Sequence, residues 1–192
     1  MVTFTLDFPN SQPEHYSIRV QSDSSAHYQS SGRFSADSEE SDSFDFDFSV
    51  AAETRQKIFE LASKAGYFHK DVDSHHKGLA FTGKKTLFYQ DEQRSGESTY
   101  NYSINPAVQE LTGLMQGLSS TLEFGRRLQY DRQYQKLALD EELKRMEEMA
   151  RSNQLVEVAA IEPMLDQIIA DPAVMNVTRA RAQRLRERAG VH

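Results

Sequence analysis

The sequence predicts an α+β fold: an antiparallel sheet with a packed helix, followed by a long helix and a helical C-terminal hairpin or bundle. Three observations predict it. Most of the chain before Asn105 alternates apolar and polar residues with period two, the mark of half-buried strands. One stretch there, residues 50–65, repeats at helical spacing instead. After Asn105-Pro106 apolar residues recur at spacings of three and four nearly to the C-terminus.

Phe4, Leu6 and Phe8 share one strand face, and Pro9-Asn10-Ser11-Gln12-Pro13 is a turn. Tyr16, Ile18 and Val20 share the face of the next strand. Asp23-Ser24-Ser25 supplies hairpin turn chemistry, and Ala26, Tyr28 and Ser30 return from it. Residues 31–43 are rich in Ser and acids and hold only Phe34 and Ala36 as apolar residues. Such a segment does not offset its ordering entropy by burial, so a mobile acidic loop is expected. Phe44-Asp45-Phe46-Asp47-Phe48 then alternates cleanly, with phenylalanines toward the core and aspartates toward water.

Ser49 is the expected N-cap of helix 50–65, whose face is Ile58, Leu61, Ala62 and Ala65 and whose C′ residue is Gly66. Tyr67 and Phe68 anchor its exit. Three more strands are read at Leu79/Phe81, at Thr86 to Tyr89, and at Tyr100/Tyr102/Ile104. Turns fall at Gly83-Lys84 and between Gln93 and Gly96. Short links without crossover helices favour antiparallel order.

Asn105-Pro106 starts a helix as N-cap and N1. Its apolar face runs through Val108, Leu111, Met115, Leu118 and Leu122, then through Leu128, Tyr134, Leu137, Leu143, Met146 and Ala150. One helix from Pro106 to about Arg151 is expected as an extended or bent rod, with Gly113, Gly117 and Gly125 as bending points. Ser152-Asn153 ends it. Val158, Ile161, Leu165, Ile168 and Ile169 form a further face in which Pro163 starts or kinks a helix. Asp171-Pro172 reads as a second N-cap and N1 pair, opening a last helix with Val174, Val177 and Leu185. The chain divides into a sheet domain, 1–122, and a helical region, 123–192.

The run Tyr16-Ser17-Ile18-Arg19-Val20 with Asp23-Ser24-Ser25 and His27-Tyr28 resembles the opening hairpin of small uncharacterised bacterial α+β domains of unknown function. Phe48-Ser49-Val50 through Gly66-Tyr67-Phe68 is similar to their single helix with its aromatic exit. Asn105-Pro106 into Leu111 and Leu118 is similar to their closing helix. The resemblance covers roughly residues 14–118 and carries Asp-Ser-Ser where the pattern favours Asp-Gly. It implies a fold and an exported or envelope location, and no activity.

Composition narrows the function. The 192 residues carry a formal net charge of −7, which argues against general nucleic-acid binding. The absence of Cys excludes disulfides, thiol catalysis and Cys-ligated zinc. No apolar run approaches a membrane span. Met1 to Pro9 lacks the basic and apolar regions of a signal peptide, so a soluble protein is expected, in the envelope or periplasm if a leader is removed. Gly-x-Ser-x-Gly, Gly-x-Gly-x-x-Gly and Walker A motifs are absent, and no cofactor is implied.

Two constellations remain. His69, Asp71, Asp73, His75 and His76 combine imidazole and carboxylate ligands suited to Zn, Ni or Cu. They support an alternative reading as a metal-binding protein or metal-dependent hydrolase, against a solvated loop. Arg181, Arg184 and Arg188 fall near one helical face, with Arg179 and Arg186 beside it, and Arg179, Arg181, Arg184 and Arg188 form a candidate partner-binding set. The bland counterpart is pairing with Glu141, Glu142, Glu147 and Glu148 of the preceding helix. The acidic run 37–42 reads as a solvated charge cluster, and Asp45 with Asp47 as exposed strand residues. The reading that fits best is a non-catalytic protein-binding or scaffold module, with an unknown protein partner or self-association through the C-terminal helices.

Overall fold

The computed structural model describes residues 1–9, 11–33 and 41–189. It confirms an α+β fold with a helical C-terminal part. The chain forms two compact units, Met1–Met115 and Gln116–His192. The division falls inside a helix, a little before the 122/123 boundary read from the sequence.

The first unit is built on β1 (Val2–Asp7), β2 (His15–Val20), β3 (Ser25–Arg33), β4 (Ser41–Ser49), β5 (Lys84–Gln90) and β6 (Ser95–Tyr100). They form one antiparallel sheet in the order β4-β3-β2-β1-β5-β6. Register follows from the period-two pattern, because a one-residue slip would turn every apolar side chain to the other face. Phe4 lies opposite Ile18 and Leu87, Ile18 opposite Tyr28, and Tyr28 opposite Phe46. The adjacent rows are Val2, Val20, Ala26, Phe48 and Tyr89, and Leu6, Tyr16, Ser30, Phe44 and Lys85. Phe4, Ile18, Tyr28 and Leu87 are fully buried, whereas the phenylalanines of the edge strand β4 are half-buried.

Helix α1 (Ala52–Lys64) buries Ile58, Leu61 and Ala62 and packs against β1. Its N-cap is Ala51, without a side-chain cap, rather than Ser49. Ser49 is still paired with Ser25 in the sheet, and Val50 N–H donates to Ser24 O, so the strand claims the residues that would have capped the helix. Beyond α1 the chain turns through three successive positive-φ residues, Gly66, Tyr67 and Phe68. Such φ values are costly for bulky residues and persist only where neighbours hold them. Phe68 is fully buried, and the Tyr67 ring is held by Tyr89, with centroids 4.6 Å apart, and by Arg94 at 4.2 Å. Gly96 makes this possible, because a Cβ there would lie 2.2 Å from Tyr67 O.

Several boundaries differ from expectation. Residues 31–33 and 41–43 are paired strand, not loop (Ser31 with Ser43, Gly32 with Asp42), while 34–40 of the expected mobile loop lie outside the described residues. Leu79 and Phe81 are exposed and belong to no strand. Their segment is held by a side chain, with Asn101 bonding Ala80 O and Thr82 N–H, so no ladder forms. Strand β6 ends at Tyr100, leaving Tyr102 and Ile104 exposed rather than alternating into a core.

Helix α2 (Pro106–Tyr134) starts as read: the Asn105 side chain accepts from Ala107 N–H at 2.9 Å. Its first turns, through Met115, belong to the first unit. The rest joins α3 (Leu139–Arg151), α4 (Glu162–Ala170) and α5 (Asn176–Ala189) in the second unit, where α5 packs against α3 and α4. The expected rod from Pro106 to Arg151 is broken at Gln135–Ala138. No glycine or proline marks the break, and α2 runs unbroken through its glycines. Gly117 and Gly125 instead clear space for the segment before α4. A Cβ on them would lie 2.7 Å from Val156 Cγ2 and 2.6 Å from Ile161 Cγ2. Between them Thr121 Oγ1 accepts from Val156 N–H and donates to Gly117 O. Pro163 sits in the first turn of α4, as its missing N–H allows. Asp171-Pro172 caps no helix: its carboxylate and carbonyl close a turn onto Ala173 and Val174, and α5 starts only at Asn176. The core of this unit includes Leu128, Leu139, Leu143, Met146, Leu165, Ile168, Ala182 and Leu185.

Candidate functional site

The 69–76 segment folds into a network closed by its own acids. His75 Nε2 lies 2.6 Å from Asp71 Oδ2, and Asp73 Oδ1 accepts the His75 N–H at 2.6 Å. Asp73 Oδ2 accepts from Asn101 N–H at 2.7 Å, tying the segment to the end of β6. The hydrogen bond to Asp71 and its charge raise the His75 pKa. Asp71 is lowered by the Asp73 N–H first and then by His75, and Asp73 by the His75 N–H and the Asn101 N–H. The structure therefore brings Asp71, Asp73 and His75 together, while His69 and His76 take no part in this network, and His76 Nδ1 lies nearest Lys77 O at 3.3 Å. Among the described residues no three His, Asp or Glu side chains are grouped so as to hold a metal ion. The carboxylates that a cation would need are spent on backbone N–H groups and on His75.

Lys85, at the end of a core row, is buried. Its Nζ donates to Thr82 O, Thr82 Oγ1, Gly83 O and Asn101 O at 2.9–3.2 Å, and burial lowers its pKa against the charge of Asp73. A buried ammonium with this many oxygen partners is a structural tie, stapling 82–83 to residue 101.

The arginines of α5 face the acids of α3. Arg181 reaches Asp140 at 2.9 Å and Glu147 at 2.8 Å, and Arg184 reaches the other oxygen of Glu147 at 2.8 Å. Burial opposes ionisation of Glu147, but the bonds from Arg184 and Arg181 outweigh it and hold its pKa below the usual range. Arg179 donates to Asn176 Oδ1, and Arg188 is exposed beside Glu147 and Arg184. Glu142 is held by Arg127 of α2 and by Arg145. Near it on α2, Asp131 is pushed up to about 6, by burial first and then by the charge of Glu142, with Arg127 opposing.

What this charge pairing leaves uncovered is apolar. Leu137 is 84% exposed and Tyr134 64%, at the α2–α3 turn; Val177 is 54% exposed and Met175 48%, at the start of α5. The two turns adjoin: Lys136 Nζ lies 2.9 Å from Asp171 Oδ2, and Thr178 Oγ1 donates to Asp140 at 3.3 Å. Four large apolar side chains thus share one end of the helical unit, rimmed by Lys136, Arg132, Asp171 and Asp140, whose charges are paired with one another or with Arg181. The apolar spacing puts Tyr134 and Leu137 in a stripe that either the following helices or a second copy must cover, and Val177 in the apolar face of the last helix. Leu143 and Met146 of the same stripe are indeed buried, but the break at 135–138 turns Leu137 outward. Met175 is exposed because Asp171-Pro172, where the sequence predicts a helix start, forms a turn and α5 begins only at Asn176.

No protein-family model matches the chain, and no curated protein is similar to it. No helix among the described residues is long and apolar enough to cross a membrane.

Proposed function

We propose that this chain is a non-catalytic scaffold module that self-associates through the exposed end of its helical unit. The observation that carries this reading is the cluster Tyr134, Leu137, Met175 and Val177, left in water by two adjoining turns. Single exposed apolar residues are ordinary, but four of them on two turns joined by the Lys136–Asp171 pair, among paired charges, have the composition of an interface centre. The paired charges of this rim favour a second copy as the occupant, since Lys136, Arg132, Asp171 and Asp140 set no net charge of one copy against another. The titratable clusters elsewhere serve as ties, with Asp71, Asp73 and His75 bonded to one another and to backbone, which supports a binding role over a catalytic one.

Light scattering of the purified protein over a hundredfold concentration range tests this. A dimer mass that falls to the monomer mass in Leu137→Glu and in Val177→Glu is the expected result. A monomer at every concentration, or a dimer that both variants keep, would overturn the reading.

A further inference from the structure

Strand β4 ends the sheet, and among the described residues no strand pairs with its outer edge. Such an edge turns a row of backbone N–H and C=O groups toward solvent, a template for another extended chain. β4 is also nine residues long, with a regular two-sided pattern. On the core side Phe44, Phe46 and Phe48 stack in a ladder, with centroids 5.8 and 6.2 Å apart and interplanar angles of 13° and 17°. They are half-buried, so part of each ring remains exposed at the sheet margin. On the other side Asp45 and Asp47 project into water, their side chains 63% and 89% exposed. His27 on β3 lies between them, 3.5 Å from Asp45 and 2.8 Å from Asp47, and reaches them only from the inner side.

This pattern selects an occupant. A second copy of β4, paired antiparallel with apolar side chains kept on one face, would in its central registers set Asp45 opposite Asp47, or one of these aspartates opposite its own copy. Like charges directly opposite are destabilising in a sheet. Registers that part these aspartates and still keep the faces either set Asp42 against Phe46 (Phe44 opposite Phe44) or leave only residues 47–49 of β4 paired (Phe48 opposite Phe48), and an odd shift crosses the faces. The aspartates therefore act against self-pairing while leaving the edge open to a strand of opposite charge.

The geometry points to the outer edge of β4 as a docking site for an extended segment of a partner protein in which apolar residues alternate with Lys or Arg. Its backbone continues the sheet, its apolar side chains extend the Phe46 and Phe48 ladder, and its cations stand opposite Asp45 and Asp47. Strand addition of this kind draws affinity from main-chain bonds and selectivity from the alternate side chains. The surface belongs to the first unit and the four apolar residues assigned to self-association belong to the second, so either assignment can fail without the other.

The probe is a synthetic peptide of alternating valine and lysine, capped at both ends, titrated by fluorescence anisotropy against the full chain. Its partners are the valine–glutamate peptide and the valine–lysine peptide with a central proline. The expected result is binding of the lysine peptide alone, weakened by salt, with a chemical-shift footprint on β4 amides. The double variant Asp45→Lys/Asp47→Lys should lose the lysine peptide by roughly three- to tenfold and gain the glutamate peptide by a similar factor. Both aspartates are exposed, so the double variant is expected to keep the fold, and far-UV circular dichroism checks that it does. Equal binding of both charged peptides, tolerance of the central proline, a footprint away from β4, or no exchange of preference in the variant would each overturn the proposal.

Discussion

Replacing Asp131 by Asn should stabilise the protein at neutral and alkaline pH and leave it almost unchanged in acid. The carboxyl is half-buried on α2 beside Glu142, and its folded pKa of about 6 stands above the ordinary 3.8. For an acid this sign means that the folded state binds the proton more tightly than the unfolded chain. The ionised side chain therefore costs stability above the folded pKa, and the cost fades as pH falls through it toward the unfolded value. At about 1.4 kcal/mol per pK unit, a shift from 3.8 to about 6 sets a ceiling of about 3 kcal/mol. Solvent screening at a half-buried site reduces this to on the order of 1 kcal/mol. Asn keeps the shape and removes the charge. Urea denaturation followed by circular dichroism, wild type against Asp131→Asn, should show a gain of about 1 kcal/mol at pH 8 and about a third of that at pH 4.5. A variant that is neutral or less stable at pH 8, or equally advantaged at both pH values, would refute the assignment of the cost to a buried charge.

Other perturbations follow from the same contacts. Gly96→Ala should lower the stability of the first unit by about 3 kcal/mol or more, because the new Cβ meets Tyr67 O at 2.2 Å, whereas Gly113→Ala, with nothing within 4 Å, should raise it by up to ~1 kcal/mol; thermal melts compare the two. Gly125→Ala should cost about 1–3 kcal/mol in the same assay, because crowding of Ile161 outweighs the gain in helix propensity. Glu147→Gln should destabilise by roughly 1–3 kcal/mol at pH 7. Its lowered pKa gives a stability present above the unfolded value and lost as pH falls through the folded one, so denaturation curves of wild type and variant should converge in acid.

Much of the sheet was legible because its rows are enforced by burial. Phe4, Ile18, Tyr28 and Leu87 cannot change register without leaving the core, and the period-two pattern records that. Asn105-Pro106 was legible because both residues act locally, one as acceptor and one as N1. Where partners come from distant positions, local rules misled. Ser49 is a good cap in isolation, but Ser25 holds it in the ladder. Leu79 and Phe81 alternate like a strand, yet an asparagine 20 or so residues away takes the hydrogen bonds a neighbouring strand would have taken. The glycines of α2 look like weak points to propensity rules, while the role of Gly117 and Gly125 is set by Val156 and Ile161. The site reading shared this limit. The 69–76 acids and imidazoles were visible, but their engagement with the Asn101 and His75 backbone was not. The exposed helical end was hidden because helical spacing does not report where a helix stops.

The continuity of α2 across the two units has a practical corollary for anyone dissecting the chain. A cut at Met115 would sever hydrogen-bonded turns in mid-run, leaving Pro106–Met115 as a stub too short to hold its own coil and Gln116 as an uncapped beginning. Fragments that aim to separate sheet from helices should carry the whole of Pro106–Tyr134 on both pieces, so that each half keeps a terminus of natural chemistry.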